Sequence, residues 1–299
     1  MEKPRILHFL TPLANLSPFD VNMAYDAGFV VAGYTGVDAK DIVGLTQDAM
    51  FSRAPQDAAK TVLFIGGRDA MLALDMAEAA RKAMFPPFQN SVFADPSGAF
   101  TTAAAMVALT EKHLLAQSGR LEGAKVSVFG AKGVVGGVAG IIAAEAGAEV
   151  TLVGYDHSDV VPQKAALFER RFSKHFIAAD GSTDEGRRRA LAACDVVLVA
   201  AKAGLQILSR QDLEAATQLK VAADVNAVPP AGIEGLDGRA NGAPLGVGKG
   251  AVGIGAYAIG DVKFRLQRRL LRRLHDTEKA EFIDFREAYR TAREMVDSG

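Results

Sequence analysis

Cysteine is almost absent from this 299-residue chain. The one cysteine, Cys194, stands in the apolar stretch CDVVLVAA, so no disulfide can form within the chain. Such a thiol is typical of a packed strand residue in a reducing compartment. The opening residues MEKPRILHFLTPLANLSP carry an apolar piece too short for a secretion signal and no small-residue cleavage site. The sequence therefore predicts a cytoplasmic protein.

Long apolar runs and an excess of charge of either sign are also missing. No stretch of 18 apolar residues occurs, which predicts that no helix spans a membrane. The formal net charge is −1, so there is no electrostatic case for binding nucleic acid or a membrane surface. Apolar residues make up 49% and charged residues 23% of the chain, as in globular proteins with a sizeable core.

The residue spacing of metal sites is missing as well. No two histidines stand four residues apart, and no cysteine–histidine cluster occurs. We therefore predict no metal site. The histidines are His8, His113, His157, His175 and His275.

Short β-branched runs alternate with longer helical patterns, which predicts an α/β fold with parallel sheets and helices on both faces. The runs are nearly continuous in apolar residues, as expected for strands covered on both sides. The predicted strands are Ile6–Leu10, Val30–Tyr34, Thr61–Ile65, Ser91–Phe93, Lys125–Phe129, Glu149–Val153, Phe176–Ala178, Asp195–Ala200 and Val221–Asp224. The predicted helices include 68–84, 101–117, 134–147, 159–173 and 184–193.

Two changes in composition predict two domains. The stretch SGRLEGA at 118–124 follows a long helical pattern and precedes a glycine-rich turn. A second change starts at Gly232, since residues 232–260 hold 10 of the 30 glycines, too many for any regular element. We expect a Rossmann-type dinucleotide-binding domain at 118–260. A second α/β domain would consist of 1–117 plus 261–299, with a cleft between the two.

The segment after residue 260 is helical and has two faces. Leu266, Leu270 and Leu274 recur every four residues, with Leu271 beside them, and form an apolar face. We interpret the opposite, basic face as solvated, with an anchor for an anionic substrate tail as the alternative. Its residues are Arg265, Arg268, Arg269, Arg272 and Arg273.

The stretch VSVFGAKGVVGG, residues 126–137, has the form of a phosphate-binding turn. A strand, then glycines, then a helix presents free backbone N–H groups to a pyrophosphate. Lys132 replaces the second glycine of the usual pattern, so glycines needed only for packing are the alternative. The predicted dinucleotide contacts here are Gly130, Lys132, Gly133, Val134, Val135 and Gly136.

The next strand, EVTLVGYD, ends where the adenosine ribose of a dinucleotide would lie. Asp156 stands 20 residues after Gly136, and an acidic residue there bonds the 2′-hydroxyl of NAD. A carboxylate ~4 Å from a 2′-phosphate opposes NADP by ~4 kcal/mol at an effective dielectric of ~20. No arginine or lysine follows closely, and a side chain pointing into water is the alternative. We predict that both NAD and NADP bind, with Tyr155 and Asp156 among the contacts.

Longer stretches outside the turn resemble one enzyme family. They are SPFDVNMAYDAG (17–28), LFIGGRDA (63–70), FADPSGAFTTAAAMVAL (93–109), ADVNAVPPAGIEGLD (223–237) and IGDVKFRLQRR (259–269). Together they resemble the NAD(P)-dependent methylene-tetrahydromethanopterin dehydrogenases of methylotrophic bacteria, over nearly the whole chain. The chain is similar to the branch of this family that accepts NAD or NADP. The strictly NADP-dependent branch carries Arg-Lys where this chain has Tyr155–Asp156.

The resemblance implies hydride transfer from a methylene-tetrahydromethanopterin to NAD or NADP in one-carbon (formaldehyde) oxidation. It also implies a homo-oligomer, with a trimer suggested, and a pterin-binding role for the domain of 1–117 plus 261–299. Lys263 and Asp20 match residues with catalytic roles in the family. A helix-surface lysine and a helix-capping or first-turn carboxylate are the structural alternatives.

Further substrate contacts are predicted in two loops. Thr101 and Thr102 open a helix after DPSGAF, where they either cap the helix or contact the substrate. Asn226 and Pro230 follow the strand that ends at Asp224. The carboxyl ends of parallel strands border the ligand crevice, so Asn226 is also a predicted dinucleotide contact.

Two other functions stay open at this stage. Folate dehydrogenases with cyclohydrolase activity share this plan and use a Tyr-x-x-x-Lys pair. None of the five tyrosines has a lysine four positions later, which argues against cyclohydrolase activity. A different oxidoreductase on the same plan is one alternative, such as a methylene-tetrahydrofolate dehydrogenase without cyclohydrolase activity or a shikimate-type dehydrogenase. A dinucleotide-sensing regulatory protein without turnover is the other.

Overall fold

The computed structural model describes residues 3–156 and 159–297, so His157 lies outside the described residues. The strands are β1 (Ile6–Leu10), β2 (Val30–Tyr34), β3 (Thr61–Ile65), β4 (Ser91–Ala94), β5 (Lys125–Phe129), β6 (Glu149–Gly154), β7 (Phe176–Asp180), β8 (Val196–Val199), β9 (Val221–Asp224), β10 (Asn241–Pro244), β11 (Val252–Ile254) and β12 (Phe282–Ile283). The α-helices are α1 (Pro18–Asp26), α2 (Ile42–Phe51), α3 (Ala70–Ala83), α4 (Ala99–Ala116), α5 (Val134–Glu145), α6 (Val160–Phe172), α7 (Asp184–Leu191), α8 (Arg210–Glu214), α9 (Ala256–Asp276) and α10 (Phe285–Asp297).

The chain folds into two compact units, and the first contains the described residues up to Thr101 together with Phe264–Ala288. Its five-stranded sheet has the order β12-β4-β3-β1-β2. Every pairing in it is parallel. The strands β3 and β4 are buried along their whole length, as expected for strands with helices on both faces.

The second unit contains Thr102–Lys263 and the described residues from Tyr289 onward. Its seven-stranded sheet has the order β10-β11-β9-β8-β5-β6-β7. All pairings are parallel except that of β10 with β11. Without the edge strand β10, this is the doubly wound order 3-2-1-4-5-6 with β5 as its first strand. The order reverses between β5 and β8, where such sheets bind ligands beyond the carboxyl ends of the strands.

The predicted α/β class with parallel sheets is confirmed, and every predicted strand is observed. The strands on either side of the glycine turn pair in parallel, with Phe129 opposite Val153. The predicted domain limits, 1–117 with 261–299 and 118–260, stay a prediction. The compact units change over inside α4, after Thr101, and inside α9, after Lys263.

The prediction that 232–260 holds no regular element is wrong. The strands β10 and β11 lie within it, and α9 begins at Ala256. The glycines are tolerated because β10 is a short edge strand whose register shifts between Asn241 and Ala243. Gly242 stands at this irregularity with φ +85°. In the ranges 3–156 and 159–297, no helix combines the length and apolarity needed to cross a membrane.

Candidate functional site

The glycine turn after β5 has the geometry of a tight phosphate-binding turn. Gly130 has φ +89°, a left-handed conformation that L side chains rarely adopt. A Cβ on Gly130 would lie 2.4 Å from the carbonyl oxygen of Ala200, in the segment after β8. The two segments therefore touch, and a side chain at Gly130 would force them apart.

Helix α5 begins directly behind this turn. Gly133 is its N-cap, and the Gly133 N–H donates to the carbonyl oxygen of Gly130 at 2.9 Å. A Cβ on Gly136 would lie 2.5 Å from that same oxygen, so only glycine allows this close approach. Gly133 is exposed and Val134 and Val135 are half-buried, which leaves the helix start accessible. The first N–H groups of a helix lack partners within it and attract anions, so the turn fits the pyrophosphate of a dinucleotide.

A lysine from the glycine turn reaches the end of the second strand. Because Phe129 pairs with Val153, the segments after β5 and β6 leave the sheet at the same edge. Lys132 Nζ lies 2.5 Å from Asp156 Oδ2, and Lys164 Nζ donates to the carbonyl oxygen of Lys132 at 2.5 Å. The sequence showed no cation shortly after Asp156. The structure supplies one from 24 residues earlier in the chain.

The loops after β8 and β9 are tied together by Asn226. Its Oδ1 accepts the N–H groups of Gly204 (3.1 Å) and Val228 (3.0 Å), and its Nδ2 donates to the carbonyl oxygen of Pro230 (2.9 Å). Asn226 thus shapes the loop, while Pro230 is exposed. Their predicted ligand contacts stay predictions, as does that of Tyr155, which is half-buried against the core of this unit.

Asp224, at the end of β9, anchors the same loop. This buried carboxylate accepts the N–H groups of Asn226 (2.9 Å), Gly232 (2.7 Å) and Ile233 (3.3 Å). Burial raises the pKa of Asp224, and the three backbone hydrogen bonds act in the opposite direction. Sequence reasoning missed this residue, although an aspartate that ends an apolar strand is a detectable signal.

In the first unit, Asp20 lies in the first turn of α1 and is only 4% exposed. The N-cap is Ser17, whose Oγ accepts the N–H of Asp20 at 3.3 Å. Of the two structural alternatives for Asp20, the first-turn carboxylate is therefore the observed one. An acidic group here also complements the helix dipole.

Gln267 holds the Asp20 carboxylate. Gln267 Nε2 donates to Asp20 Oδ1 at 2.6 Å, and Gln267 is fully buried on α9. Beside this bond, the rings of Phe19 and Phe264 meet edge-on with centroids 6.4 Å apart. Sequence reasoning missed Gln267, although a glutamine on a face formed by leucines is a signal that a polar group lies opposite.

Lys263 is half-buried on α9 and precedes Gln267 by four residues, so both side chains leave the helix on one face. That face is the leucine face, since Leu270 and Leu274 continue the same spacing. Lys263 is thus not part of the basic face. The catalytic role that the resemblance implies for Lys263 stays a prediction.

Thr101 is buried at the start of α4. Its Oγ1–H donates to Asp95 Oδ2 at 2.7 Å, and Asp95 Oδ1 accepts the N–H groups of Phe100 (2.9 Å) and Thr101 (3.2 Å). The Thr101 hydroxyl thus has a buried acceptor at the helix start, and it could donate to a substrate only if that bond broke. Thr102 is half-buried.

The basic face of α9 lies on the side opposite Lys263 and consists of four exposed arginines: Arg265, Arg268, Arg269 and Arg272. Their exposure favours the interpretation of this face as solvated. The placement of Arg273 on this face is wrong. Its guanidinium forms ion pairs with Glu281 (2.9 Å) and Glu287 (2.7 Å) in the same unit.

The last candidate groups are the potential metal ligands and the lone thiol. Among residues with a described structure, no group of three histidine, cysteine, aspartate or glutamate side chains is arranged to hold a metal ion. Cys194 is buried, and burial raises the pKa of its thiol to about 12. A protonated thiol is a poor nucleophile, so Cys194 is a core residue.

The doubly wound sheet of the second unit, with a glycine turn and a helix start at its central strand, defines a Rossmann-type dinucleotide-binding protein. Sequence comparison identifies the family. Residues 18–97 match the family described as methylene-tetrahydromethanopterin dehydrogenase, N-terminal. The NAD(P)-dependent methylenetetrahydromethanopterin dehydrogenase of Methylorubrum extorquens is 52% identical over 293 residues, which cover 97% of this chain and 98% of that protein. The chain therefore belongs to the methylene-tetrahydromethanopterin dehydrogenase family.

A second relative and two solved structures are similar to this chain over most of its length. The "Bifunctional protein MdtA" of the same organism is 34% identical over 99% of this chain and all of its own length (100%). The structure of shikimate 5-dehydrogenase from Listeria monocytogenes superimposes with a TM-score of 0.52 at 13% identity, over 98% of this chain and 96% of that one. The structure of ornithine carbamoyltransferase from Pyrococcus furiosus superimposes with a TM-score of 0.52 at 12% identity, over 90% of this chain and 84% of that one. At these identities the two structures show the fold alone.

Proposed function

We propose that this protein transfers a hydride from the methylene bridge of methylene-tetrahydromethanopterin to NAD or NADP, which leaves the methenyl pterin, in one-carbon oxidation. The observation that carries the proposal is the accessible glycine turn at the start of α5, in a chain that is 52% identical to a protein named for this reaction. The turn would hold the pyrophosphate, and the segment after β6 would hold the adenosine ribose.

The proposed reaction asks little of the side chains. The C–H bond of the bridge carbon breaks with its electron pair, and the adjacent pterin nitrogens stabilise the cation that remains. Bound NAD or NADP supplies the hydride acceptor, C4 of the nicotinamide. The protein has to hold the two carbons about 3–3.5 Å apart and exclude water.

Asp20 would act electrostatically in this scheme. A carboxylate fixed by Gln267 can offset positive charge as it develops on the pterin. An ammonium group next to the bridge carbon would oppose the same charge. Lys263 would therefore act at a distance, through hydrogen bonds to the pterin carbonyl or to Asp20.

The substitution Lys263→Ala tests this role. We expect kcat/KM to fall by roughly 10²-fold or more, with little change in the dinucleotide Kd, because the lysine serves only the substrate. The helix should survive, since alanine is a good helix former. Arg268→Ala, on the opposite face of α9, is the matched control. Kinetics within about threefold of the parent would assign Lys263 to the helix surface alone.

Substrate choice is tested by following reduction of NAD and NADP with methylene-tetrahydromethanopterin and methylene-tetrahydrofolate side by side. Turnover with the methanopterin carrier is expected for both dinucleotides. Turnover with the folate carrier alone would establish the folate alternative. Dinucleotide binding without turnover on either carrier would establish the regulatory alternative.

The resemblance also supports a homo-oligomer, with a trimer expected, and the single cysteine supports a cytoplasmic location. Light scattering on the purified protein at several concentrations tests the first. A single monomeric species at micromolar concentration would contradict it. Fractionation of the cells that produce the protein tests the second.

A further inference from the structure

We propose that Lys132 and Asp156 form an exchangeable ion pair that determines how the chain accepts both dinucleotides. Asp156 receives the 2′-hydroxyl of NAD, and Lys132 receives the 2′-phosphate of NADP. The inference deepens the proposed function, and it rests only on the part of it that concerns dinucleotide binding.

The position of the pair carries the argument. In a doubly wound sheet, the residue that meets the adenosine ribose follows the second strand, and here that strand is β6. Asp156 stands two residues after the end of β6 at Gly154. Lys132 comes from the turn that would hold the pyrophosphate, yet its ammonium group lies 2.5 Å from the Asp156 carboxylate. The Lys132 ammonium group and the Asp156 carboxylate thus both lie where the two dinucleotides differ.

The pair is placed so that it can open. The side chains of Lys132 and Asp156 are 33% and 45% exposed, and ion pairs with this exposure contribute little to stability. Lys164 Nζ donates to the main-chain oxygen of Lys132, which holds the turn in place while the Lys132 side chain moves. A ligand can therefore take one partner without disturbing the turn.

Each charge has a separate effect on the two dinucleotides. Asp156 alone would repel a 2′-phosphate, while Lys132 alone would attract it. Together the two charges offset each other, so neither dinucleotide is excluded. A neutral 2′-hydroxyl needs only an acceptor, which Asp156 provides. Removal of one charge should therefore shift the preference in one direction, and removal of the other charge should shift it the opposite way.

The test is calorimetric titration of NAD and NADP into the full chain and four variants: Lys132→Met, Asp156→Asn, the combination of both, and Lys125→Met. Lys125 is an exposed lysine at the amino end of β5, whereas Lys132 follows the carboxyl end of that strand. Lys125→Met therefore removes an equal charge away from the proposed site. We expect Lys132→Met to weaken NADP binding about tenfold or more and to leave the Kd of NAD within about twofold of the parent value. Asp156→Asn should shift the ratio of the two dinucleotide affinities toward NADP by a similar factor. The combined variant should return within about threefold of the parent ratio, and Lys125→Met should not change it.

Two results would overturn the proposal. Equal weakening of NAD and NADP by Lys132→Met would assign the lysine to the shared pyrophosphate. An unchanged ratio in both single variants would leave the pair as a surface contact. Thermal melts of each variant check the fold. The titrations contain no pterin, so a chain that binds dinucleotides as expected but fails to oxidise a methylene pterin would contradict the proposed function alone.

Discussion

At the residue scale, the bond between Gln267 and Asp20 is difficult to explain by stability. A buried carboxylate loses several kcal/mol of hydration, and apolar residues of similar volume often fill such a place with equal or better stability. A hydrogen bond to a charged group contributes about 1.5–3 kcal/mol, so the Gln267 amide offsets part of that loss. The bond joins α1 to α9 across 247 residues of sequence. We therefore interpret Gln267 as a positioning residue that keeps the Asp20 carboxylate in one orientation.

The substitution Gln267→Leu tests this interpretation. We expect kcat/KM with the methylene pterin to fall about tenfold, through kcat, while the dinucleotide Kd stays within about twofold. In the Asp20→Asn background the same substitution should cost less than about twofold, because the group that it positions is gone. Gln117→Leu is the control, because it removes a hydrogen bond from a side-chain amide to the Lys220 carbonyl oxygen in the second unit. Equal losses in both backgrounds would show that Gln267 acts on packing rather than through Asp20.

At the element scale, the strands could be predicted because parallel strands covered on both faces are continuous apolar runs, as in VVLV of β8. The strands β10, β11 and β12 could not, since strands of two to four residues gain their places from their neighbours rather than from their own residues. The same distinction applies to the site. The glycine turn is local in sequence and was predictable. The Lys132–Asp156 and Gln267–Asp20 contacts depend on register and helix packing, which no local pattern contains.

Helix α5 offers a test of its packing against the turn. Gly136→Ala would place a Cβ 2.5 Å from a backbone oxygen, so either the helix or the turn has to move. Overpacking of this kind costs about 1–3 kcal/mol of unfolding free energy. We expect the affinity for NAD and NADP to fall together, about tenfold, in calorimetric titrations, because the start of α5 serves both.

A second glycine gives the matched control. Gly260 lies in α9 with no atom within 4 Å of an added Cβ, so Gly260→Ala should stabilise the chain by about 0.4–1 kcal/mol. It should leave dinucleotide binding unchanged. A Gly136→Ala variant with parental stability and affinity would show that α5 can shift without consequence for the turn.

At the scale of the whole molecule, the two sheets carry different candidate site residues. The sheet of the second unit has the doubly wound order, and the residues that fit a dinucleotide lie at its carboxyl edge. The buried Asp20–Gln267 bond belongs to the first unit. In the proposed function, dinucleotide binding and the chemistry on the pterin therefore depend on different residues, so the dinucleotide Kd and kcat/KM report on them separately.

Linkage between binding and unfolding gives a prediction for the complete chain. A dinucleotide that binds only the folded protein adds about 2.7 kcal/mol to the unfolding free energy when its concentration is 100 times its Kd. For a chain of this size that corresponds to an increase in Tm of roughly 5 °C. We expect NAD and NADP to produce similar increases in the parent when each is present at the same multiple of its own Kd. At a fixed concentration of 100 times the parent Kd, Lys132→Met should keep the increase with NAD and lose about half or more of that with NADP, because only the second ligand depends on the ammonium group. Absence of any increase with either dinucleotide, up to millimolar concentration, would contradict a dinucleotide site in the second unit.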